Sequence, residues 1–267
     1  DCLNRPCPRP KPGGKQIRAS ILSERGPREV NEDSGAVVVM DFGRVKAGVM
    51  VVADGVGGLS RGGEASSAAV YYSLRYLLPR LGELAREPTR VFMEVYGEVN
   101  RAVAELAPGG ATTLSIGVFF TDGRAYVANV GDSRIIVVGS NGLHYISPTD
   151  EVPNQPHMIA QAVGLSAFVR PHVDVLQLSG TYLALGLTDG VTDVVPPEEI
   201  VALLMRERKK LKKRGAAHYV KWLRDLALAR RTIDNVTVAA MLLKDVKGVK
   251  VQQHYARDAP TIRLPYP

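Results

Sequence analysis

The chain has 267 residues, of which 45% are hydrophobic and 23% are charged, so it is long and apolar enough to fold around a sizeable core. Because no apolar run approaches the ~18 residues of a transmembrane helix, and no apolar segment opens the chain, neither a membrane span nor a signal peptide is expected. Much of the net charge of +7 lies in residues 206–214, which carry seven cations and one anion. That run predicts the solvated face and end of a surface helix, or a surface that binds nucleic acid or acidic partners.

Residues 1–16 are rich in Pro and Gly, which predicts a flexible or extended leader. The leader contains both cysteines, Cys2 and Cys7, so a disulfide framework and a structural cysteine zinc site are excluded for the rest of the chain. A cytoplasmic location is therefore expected. Residues 17–243 are predicted to form one domain, because neither an internal repeat nor a shift in composition divides them, and residues 244–267 are predicted to be a tail.

Taken in chain order, the first part of this domain predicts three strands followed by two helices, at 17–22, 36–40 and 49–53 and then at 63–78 and 88–106. The hydrophobic period then changes to two, which predicts an antiparallel meander of strands at 112–120, 123–130, 133–138 and 143–146. An irregular flap is expected at 147–170. The remaining predictions are strands at 172–178 and 181–188, helices at 197–213 and 216–230, and a last strand at 235–243.

The predicted helices come in pairs and the predicted strands come in antiparallel runs. That order favours an α+β fold with sheet packed on sheet and helices outside, rather than an alternating βαβ fold.

Three β-rich, apolar segments each meet an aspartate, namely Asp54 and Asp189 after their segments and Asp234 just before the last strand. One such residue is typical of a turn, but three at strand ends, together with Glu32 and Asp33 in an early charged loop, indicate a shared site. Carboxylates brought together in a protein repel each other unless cations neutralise them. Two hard cations such as Mg²⁺ or Mn²⁺ would do so, and would also convert a bound water into a nucleophile at neutral pH.

Other catalytic machinery is missing from the sequence. There is no Gly-x-Ser-x-Gly elbow, no Cys-x₅-Arg loop, no Walker-type Gly-Lys-Ser/Thr sequence, and no pair of histidines at metal-ligand spacing. A metal-activated water is therefore the nucleophile that the sequence favours.

Six segments, in this order and at this spacing, resemble the motifs of the metal-dependent (PPM, type 2C) Ser/Thr protein phosphatases in their bacterial or archaeal form. They are Arg28-x-x-Asn31-Glu32-Asp33-Ser34, Ala53-Asp54-Gly55-Val56-Gly57-Gly58, Ala111-Thr112-Thr113, Asn129-Val130-Gly131-Asp132-Ser133-Arg134, Thr188-Asp189-Gly190-Val191-Thr192-Asp193 and Asp234-Asn235-Val236-Thr237. The resemblance implies a four-layer α-β-β-α sandwich, in which two central antiparallel β-sheets are flanked by helix pairs. It also implies hydrolysis of phosphoserine and phosphothreonine in proteins through attack by a metal-bridging hydroxide.

The resemblance assigns roles residue by residue, with two Mn²⁺ or Mg²⁺ ions as cofactors. Asp54 would bridge the ions, the Gly55 carbonyl would bind one of them, and Asp189 and Asp234 would complete the first ion. Glu32 would hold the second ion, directly or through water, and Arg28 would bind the substrate phosphate. Asp132 is either a ligand of a third, weaker metal or a β-turn residue. Asp33 and Asn235 would support the ligands, and Asp193 would either support them or cap a local structure.

The sequence departs from the family pattern at two places. Many eukaryotic members have a histidine, proposed as general acid, where this chain has Val56, so the resemblance names no general acid here. His157 lies in the flap and is expected to be a solvent-exposed loop residue. The flap itself differs from the microbial pattern at 158–164, and this difference concerns substrate selection more than chemistry.

The expected partners are phosphorylated proteins that are substrates of Ser/Thr kinases, with neither nucleic acid nor a membrane, and the protein is expected to be a monomer. One alternative is a non-catalytic, phosphatase-like regulatory protein that binds a partner. Another is a nucleic-acid-binding protein that uses residues 206–214, although no base-reading motif accompanies that run.

Overall fold

The structure is a computed structural model that describes residues 16–56, 61–152, 155, 158–211 and 213–247. The predicted leader, apart from its last residue, lies outside the described residues. The same is true of His157 and of the predicted tail beyond residue 247. Within the described part of the chain, no helix has the length and apolar character needed to cross a membrane.

In the described residues, ten strands form two five-stranded sheets in which every neighbouring pair is antiparallel. The first sheet has the order β1-β10-β9-β6-β7 and the second has the order β2-β3-β4-β5-β8. The strands are β1 (Gln16–Glu24), β2 (Ser34–Asp41), β3 (Lys46–Ala53), β4 (Leu114–Phe120), β5 (Arg124–Val130), β6 (Arg134–Gly139), β7 (Gly142–Ile146), β8 (His172–Gln177), β9 (Gly180–Leu187) and β10 (Val236–Val246).

The α-helices of the described part of the chain are α1 (Gly62–Leu77), α2 (Pro88–Leu106), α3 (Asp189–Thr192), α4 (Pro197–Arg206) and α5 (Ala216–Ala229). Short 3₁₀ turns follow α1 at Leu78–Arg80 and α4 at Arg208–Lys210. Apolar side chains of α1 and α2 pack on the β2-to-β8 sheet, whereas those of α4 and α5 pack on the other sheet. A third apolar cluster lies between the two sheets. The predicted α-β-β-α sandwich is therefore confirmed.

The alternation of side chains along β3 explains how this strand serves two cores. Val49 and Val51 pack towards α1 and α2, whereas Met50 and Val52 pack between the sheets. The same period of two places Asp54, which follows the strand, on the side of Met50 and Val52. The strand thus delivers a carboxylate to the edge of the space between the sheets.

The predicted meander of four strands is wrong, because β4 and β5 belong to one sheet and β6 and β7 belong to the other. The chain crosses between the sheets at residues 131–133, where Gly131 has a φ of 92°. The two hairpins, β4–β5 and β6–β7, follow the prediction. Local periodicity could predict these hairpins, but it carries no information about which sheet each hairpin joins.

Differences in element boundaries also change the predicted positions of the basic run and of the tail. The helix expected at 197–213 ends at Arg206, so most of the basic run lies in the connection to α5 rather than on a helix face. The last strand continues to Val246, three residues into the predicted tail, because it pairs with both β1 and β9. The short helix α3 was not predicted at all.

Candidate active site

A cleft opens at one edge of the sandwich, where β3, β9 and the segment before β10 meet. It is lined by Arg28, Glu32, Asp54, Gly55, Val56, Thr113, Asp132, Ile159, Asp189, Asp234 and Asn235. The acidic side chains come from five separate segments of the chain. These segments are far apart in the sequence, and they meet because the ends of strands from both sheets lie at this edge.

Asp54 is held through its backbone by two consecutive threonines. The Asp54 carbonyl accepts hydrogen bonds from the Thr112 hydroxyl (2.8 Å) and from the Thr113 N–H (2.8 Å). In return, the Asp54 N–H donates to the Thr113 hydroxyl oxygen at 2.9 Å. All the backbone polar groups of Asp54 are therefore satisfied, and its carboxylate is left to face the cleft.

Asp33 lies behind the cleft, in the space between the sheets, and its side chain is only 6% exposed. The Thr188 hydroxyl donates to Asp33 Oδ2 at 2.8 Å, and Thr237 supplies a second side-chain hydrogen bond. Thr188 follows β9 and Thr237 lies in β10 of one sheet, whereas Asp33 immediately precedes β2 of the other sheet. Asp33 therefore links the two sheets directly behind the acidic cleft.

Asn235 connects the segment that carries Asp234 to the loop before β2. Its side-chain N–H groups donate to the carbonyls of Arg25 (2.7 Å) and Val30 (2.9 Å), and its Oδ1 accepts from the Glu32 N–H (2.8 Å). One buried amide thus fixes the relative positions of the Glu32 and Asp234 loops.

Arg28 lies on the rim of the cleft, where it bonds to the segment before β10. Its Nη2 is 2.6 Å from Asp234 Oδ2, and its Nε donates to the Ile233 carbonyl at 3.0 Å. The Arg28 side chain is 46% exposed, so its remaining N–H groups face solvent at the cleft mouth.

The backbone packs closely beneath the site. A Cβ at Gly190 would overlap the carbonyl oxygen of Asn235, so only glycine allows the start of α3 to approach the segment before β10. This close approach brings Asp189 and Asp234 to the same part of the cleft.

Burial and mutual repulsion raise the pKa values of four aspartates. The pKa of Asp33 is raised to about 7, mainly by burial and further by the charges of Asp189 and Asp234, against hydrogen bonds from Thr237 and Thr188 that lower it. Burial and the neighbouring carboxylate of Asp189 raise the pKa of Asp132 to about 6. Burial is also the main cause of the raised pKa of Asp54 and of Asp189, and these two carboxyls share a hydrogen bond.

The residues of the cleft suit divalent cations. A cluster of hard oxygen donors with raised pKa values is a site where positive charge would be strongly stabilising. Within the part of the chain that the structure describes, Asp189 Oδ1 and Asp33 Oδ1 are buried oxygens without a hydrogen-bond partner. Among the described residues, no three His, Cys, Asp or Glu side chains already stand in a metal-binding arrangement. Asp234 is turned to Arg28 and Asp54 is bonded to Asp189, so ion binding requires these side chains to reorient.

The cleft brings together most of the residues that the sequence singles out, namely Arg28, Glu32, Asp54, Gly55, Asp132, Asp189, Asp234 and Asn235. Asp33 lies behind it, and Asp193 does not line it. The Asp193 N–H bonds to the Asp189 carbonyl at 2.8 Å and closes α3, and the charge of Asp193 acts on the Asp189 carboxyl, so both alternatives for Asp193 stay predictions. The sequence predicted no functional role for Thr188 or for Ile159. Thr188 stands beside Asp189 in a motif, but nothing in the sequence near Ile159 predicts that it lines the cleft.

Two sheets packed face to face, with helices outside and an acidic cleft at the shared edge, define an α-β-β-α sandwich protein with a candidate site for divalent cations. The family model described as protein phosphatase 2C matches residues 25–226. The chain therefore belongs to the protein phosphatase 2C family.

Relatives and solved structures agree with this assignment. The serine/threonine phosphatase stp of Listeria welshimeri is 26% identical over 216 residues, which cover 72% of this chain and 84% of the relative. A crystal structure of a bacterial serine phosphatase has a TM-score of 0.70 at 23% identity, covering 88% of this chain and 100% of that one. The catalytic domain of the phosphatase PstP, solved with two manganese ions, has a TM-score of 0.64 at 25% identity and covers 86% of this chain and 99% of that one.

Proposed function

We propose that the cleft hydrolyses phosphoserine and phosphothreonine in proteins, with the roles of its residues as the sequence predicts them. As a member of the protein phosphatase 2C family, the chain is a metal-dependent serine/threonine protein phosphatase. The observation that carries the proposal is the convergence of Glu32, Asp54, Asp189 and Asp234 with Arg28 in a single cleft. Nothing in the comparisons supports the alternative of a non-catalytic regulator.

Two Mn²⁺ or Mg²⁺ ions fit the donor set, and when bound they would supply an activated water and neutralise charge on the phosphoryl group. In our proposal Asp54 would be the ligand shared between the ions, because its carboxylate lies within electrostatic range of Asp33, Asp189 and Asp132. The Gly55 carbonyl, Asp189 and Asp234 serve the first ion, and Glu32 serves the second. Asp132 is the ligand for a third, weaker ion.

Arg28 binds the phosphate of the substrate in this scheme. A guanidinium group matches two phosphate oxygens at once, and Arg28 stands at the mouth of the cleft with part of its fork exposed. Its Nε–H group donates to the Ile233 carbonyl, and this backbone contact holds the guanidinium at the rim of the acidic cluster, where a phosphoryl group would lie for in-line attack.

Several finer assignments belong to the same proposal. The substrates are phosphoproteins made by Ser/Thr kinases, and the enzyme acts as a cytoplasmic monomer whose domain spans residues 17–243. Asp33 and Asn235 hold the ligand-bearing loops through the contacts described above. Val56 lines the cleft where some relatives carry a histidine, so protonation of the leaving group falls to water or to another group.

The test is a metal-dependence assay on three peptides that differ only in phosphoserine, phosphothreonine or phosphotyrosine. The proposal expects hydrolysis of the first two with Mn²⁺ or Mg²⁺ and none in excess EDTA. Activity that persists in EDTA, or that is confined to phosphotyrosine, would refute it. Calorimetry with Mn²⁺ separates an enzyme from a regulator, since a regulator need not bind two ions.

A further inference from the structure

Asp150 is a nearly buried carboxylate outside the predicted site, and its bonds join four segments of the chain. Its side chain is 9% exposed. Asp150 Oδ2 accepts from the Gly131 N–H at 2.8 Å, and the Asp150 N–H donates to the Gly131 carbonyl at 3.0 Å. Both backbone polar groups of Gly131 are thus held by one residue.

Gly131 immediately precedes Asp132, in the segment that crosses between the two sheets. Its φ of 92° is a conformation that few other residues adopt, and the methyl group of Thr113 lies against it. Asp132 takes its place in the cleft from this crossing segment. The Gly131 carbonyl also accepts from Asn129 Nδ2 at 3.2 Å, whereas its N–H is held by the Asp150 carboxylate, which therefore helps to fix the backbone from which the Asp132 carboxylate projects.

The second carboxylate oxygen of Asp150 connects this segment to the flap and to β8. Oδ1 accepts from Gln161 Nε2 at 2.9 Å and lies 2.8 Å from His172 Nε2. The Asp150 carbonyl also accepts from the Ala160 N–H at 2.7 Å, next to Ile159, which lines the cleft. Asp150 thus ties the crossing segment to the part of the flap that reaches the cleft.

The network requires a carboxylate, and an amide of the same shape would not replace it. Gln161 is held in one orientation because its Oε1 accepts from the Arg170 N–H (3.2 Å) and its Nε2 donates to the Arg170 carbonyl (3.0 Å). Its Nε2 must therefore point an N–H group at Oδ1 of Asp150, while the Gly131 N–H points at Oδ2. An asparagine can accept only one of these two bonds, and its own NH₂ group would face the other donor.

We infer that Asp150 is a positioning residue for the weakest cation site, acting through Gly131 on Asp132. The inference rests on the proposed function, in which Asp132 is a ligand of a third ion. Partners that orient a metal ligand commonly change metal affinity 10–100-fold when they are removed. Asp150→Asn is therefore expected to weaken the third ion by about tenfold or more and to leave the two tighter ions in place.

Asp174 provides a matched control on the same strand as His172. It is a partly buried carboxylate that accepts a hydrogen bond from the Tyr145 hydroxyl at 2.7 Å, and it does not line the cleft. Asp174→Asn removes a charge and perturbs a comparable hydrogen bond, without touching Gly131 or the flap. It should therefore leave binding of all three ions unchanged.

The experiment measures Mn²⁺ binding by electron paramagnetic resonance of the free ion, which needs no turnover, alongside the Mn²⁺ dependence of phosphopeptide hydrolysis. Asp150→Asn and Asp132→Asn should each weaken the third ion. The double variant should bind Mn²⁺ like Asp132→Asn alone, because both changes act on one site. If Asp150→Asn does not fold, Mn²⁺ binding by His172→Gln is measured instead. We expect this variant also to weaken binding of the third ion, by a smaller factor.

Four results would each overturn the inference. Asp150→Asn could bind Mn²⁺ like the wild type, or Asp174→Asn could lose as much Mn²⁺ affinity as Asp150→Asn. The losses of affinity in the double variant could be additive, or the wild type could bind only two ions. A wild-type protein that binds Mn²⁺ but hydrolyses no phosphopeptide would instead count against the proposed function. The binding measurement keeps these two failures apart.

Discussion

Asn235 offers the sharpest test of how the structure holds the active site together. Asn235→Ala removes three hydrogen bonds of 2.7 to 2.9 Å that join the segment carrying Asp234 to the loop carrying Glu32. At a net value of about 1 kcal/mol for each bond, the free energy of unfolding should fall by about 3 kcal/mol. For a domain of this size, such a loss lowers Tm by roughly 6–12 °C. Because both loops carry proposed metal ligands, kcat/KM should also fall, by about 10–100-fold.

Asn100→Ala is the matched control for this variant. Asn100 is equally buried, donates to the Ser166 carbonyl at 2.9 Å and accepts from the Gly164 N–H at 2.7 Å, and none of these three residues lines the cleft. It should lose a similar amount of stability but keep kcat/KM within about threefold when assayed well below its Tm. Stability is measured by urea unfolding, and activity is measured on a phosphothreonine peptide with Mn²⁺. The reasoning is refuted if Asn235→Ala keeps its activity, or if both variants lose activity in proportion to stability.

Three further predictions concern the phosphate contact, the backbone and the buried charge. Arg28→Ala should lower kcat/KM by about 100-fold, and Arg28→Lys should restore only part of it because the ammonium lacks the fork, as steady-state kinetics on a phosphopeptide would show. Gly190→Ala should reduce both Tm and Mn²⁺ affinity, since the added Cβ would push the start of α3 away from the carbonyl of Asn235; a wild-type Tm in a thermal scan would contradict this. With divalent ions chelated, stability should fall as pH rises from about 4 to 8, because Asp33, with its pKa raised to about 7, keeps a proton that the unfolded chain releases above 3.8. The shift of about 3 units corresponds to about 4 kcal/mol, and urea unfolding in EDTA should show a flatter pH dependence for Asp33→Asn than for the wild type.

The sequence could predict the site residues that lie at the ends of strands. Asp54 and Asp189 each follow an apolar strand, Asp234 lies just before the last strand, and the geometry of a sheet brings such strand ends to a common edge. The helix Pro88–Leu106 was predicted with both its boundaries, since a proline begins it and glycines at 109 and 110 follow it.

The features that could not be predicted all depend on contacts between distant segments. Whether β6 joins the sheet of β5 depends on a three-residue crossing at 131–133 that leaves no mark on the hydrophobic period. The bonds from Thr188 and Thr237 to Asp33 cross from one sheet to the other. The sequence alone indicates that Asp150 is a polar loop residue. Its contacts with Gly131 and Gln161 become evident only in the folded structure.

The central claim is that carboxylates at the edge of the sandwich hold the ions that drive phosphate hydrolysis. The most direct measurement compares Mn²⁺-dependent hydrolysis of a phosphothreonine peptide by the wild type, Asp54→Asn and Asp234→Asn, with circular dichroism to confirm the fold of each. The account predicts that both variants fold and that neither has measurable activity, while the wild type is active with Mn²⁺ and inactive in excess EDTA. Activity that survives in both folded variants, or in the chelated wild type, would contradict it.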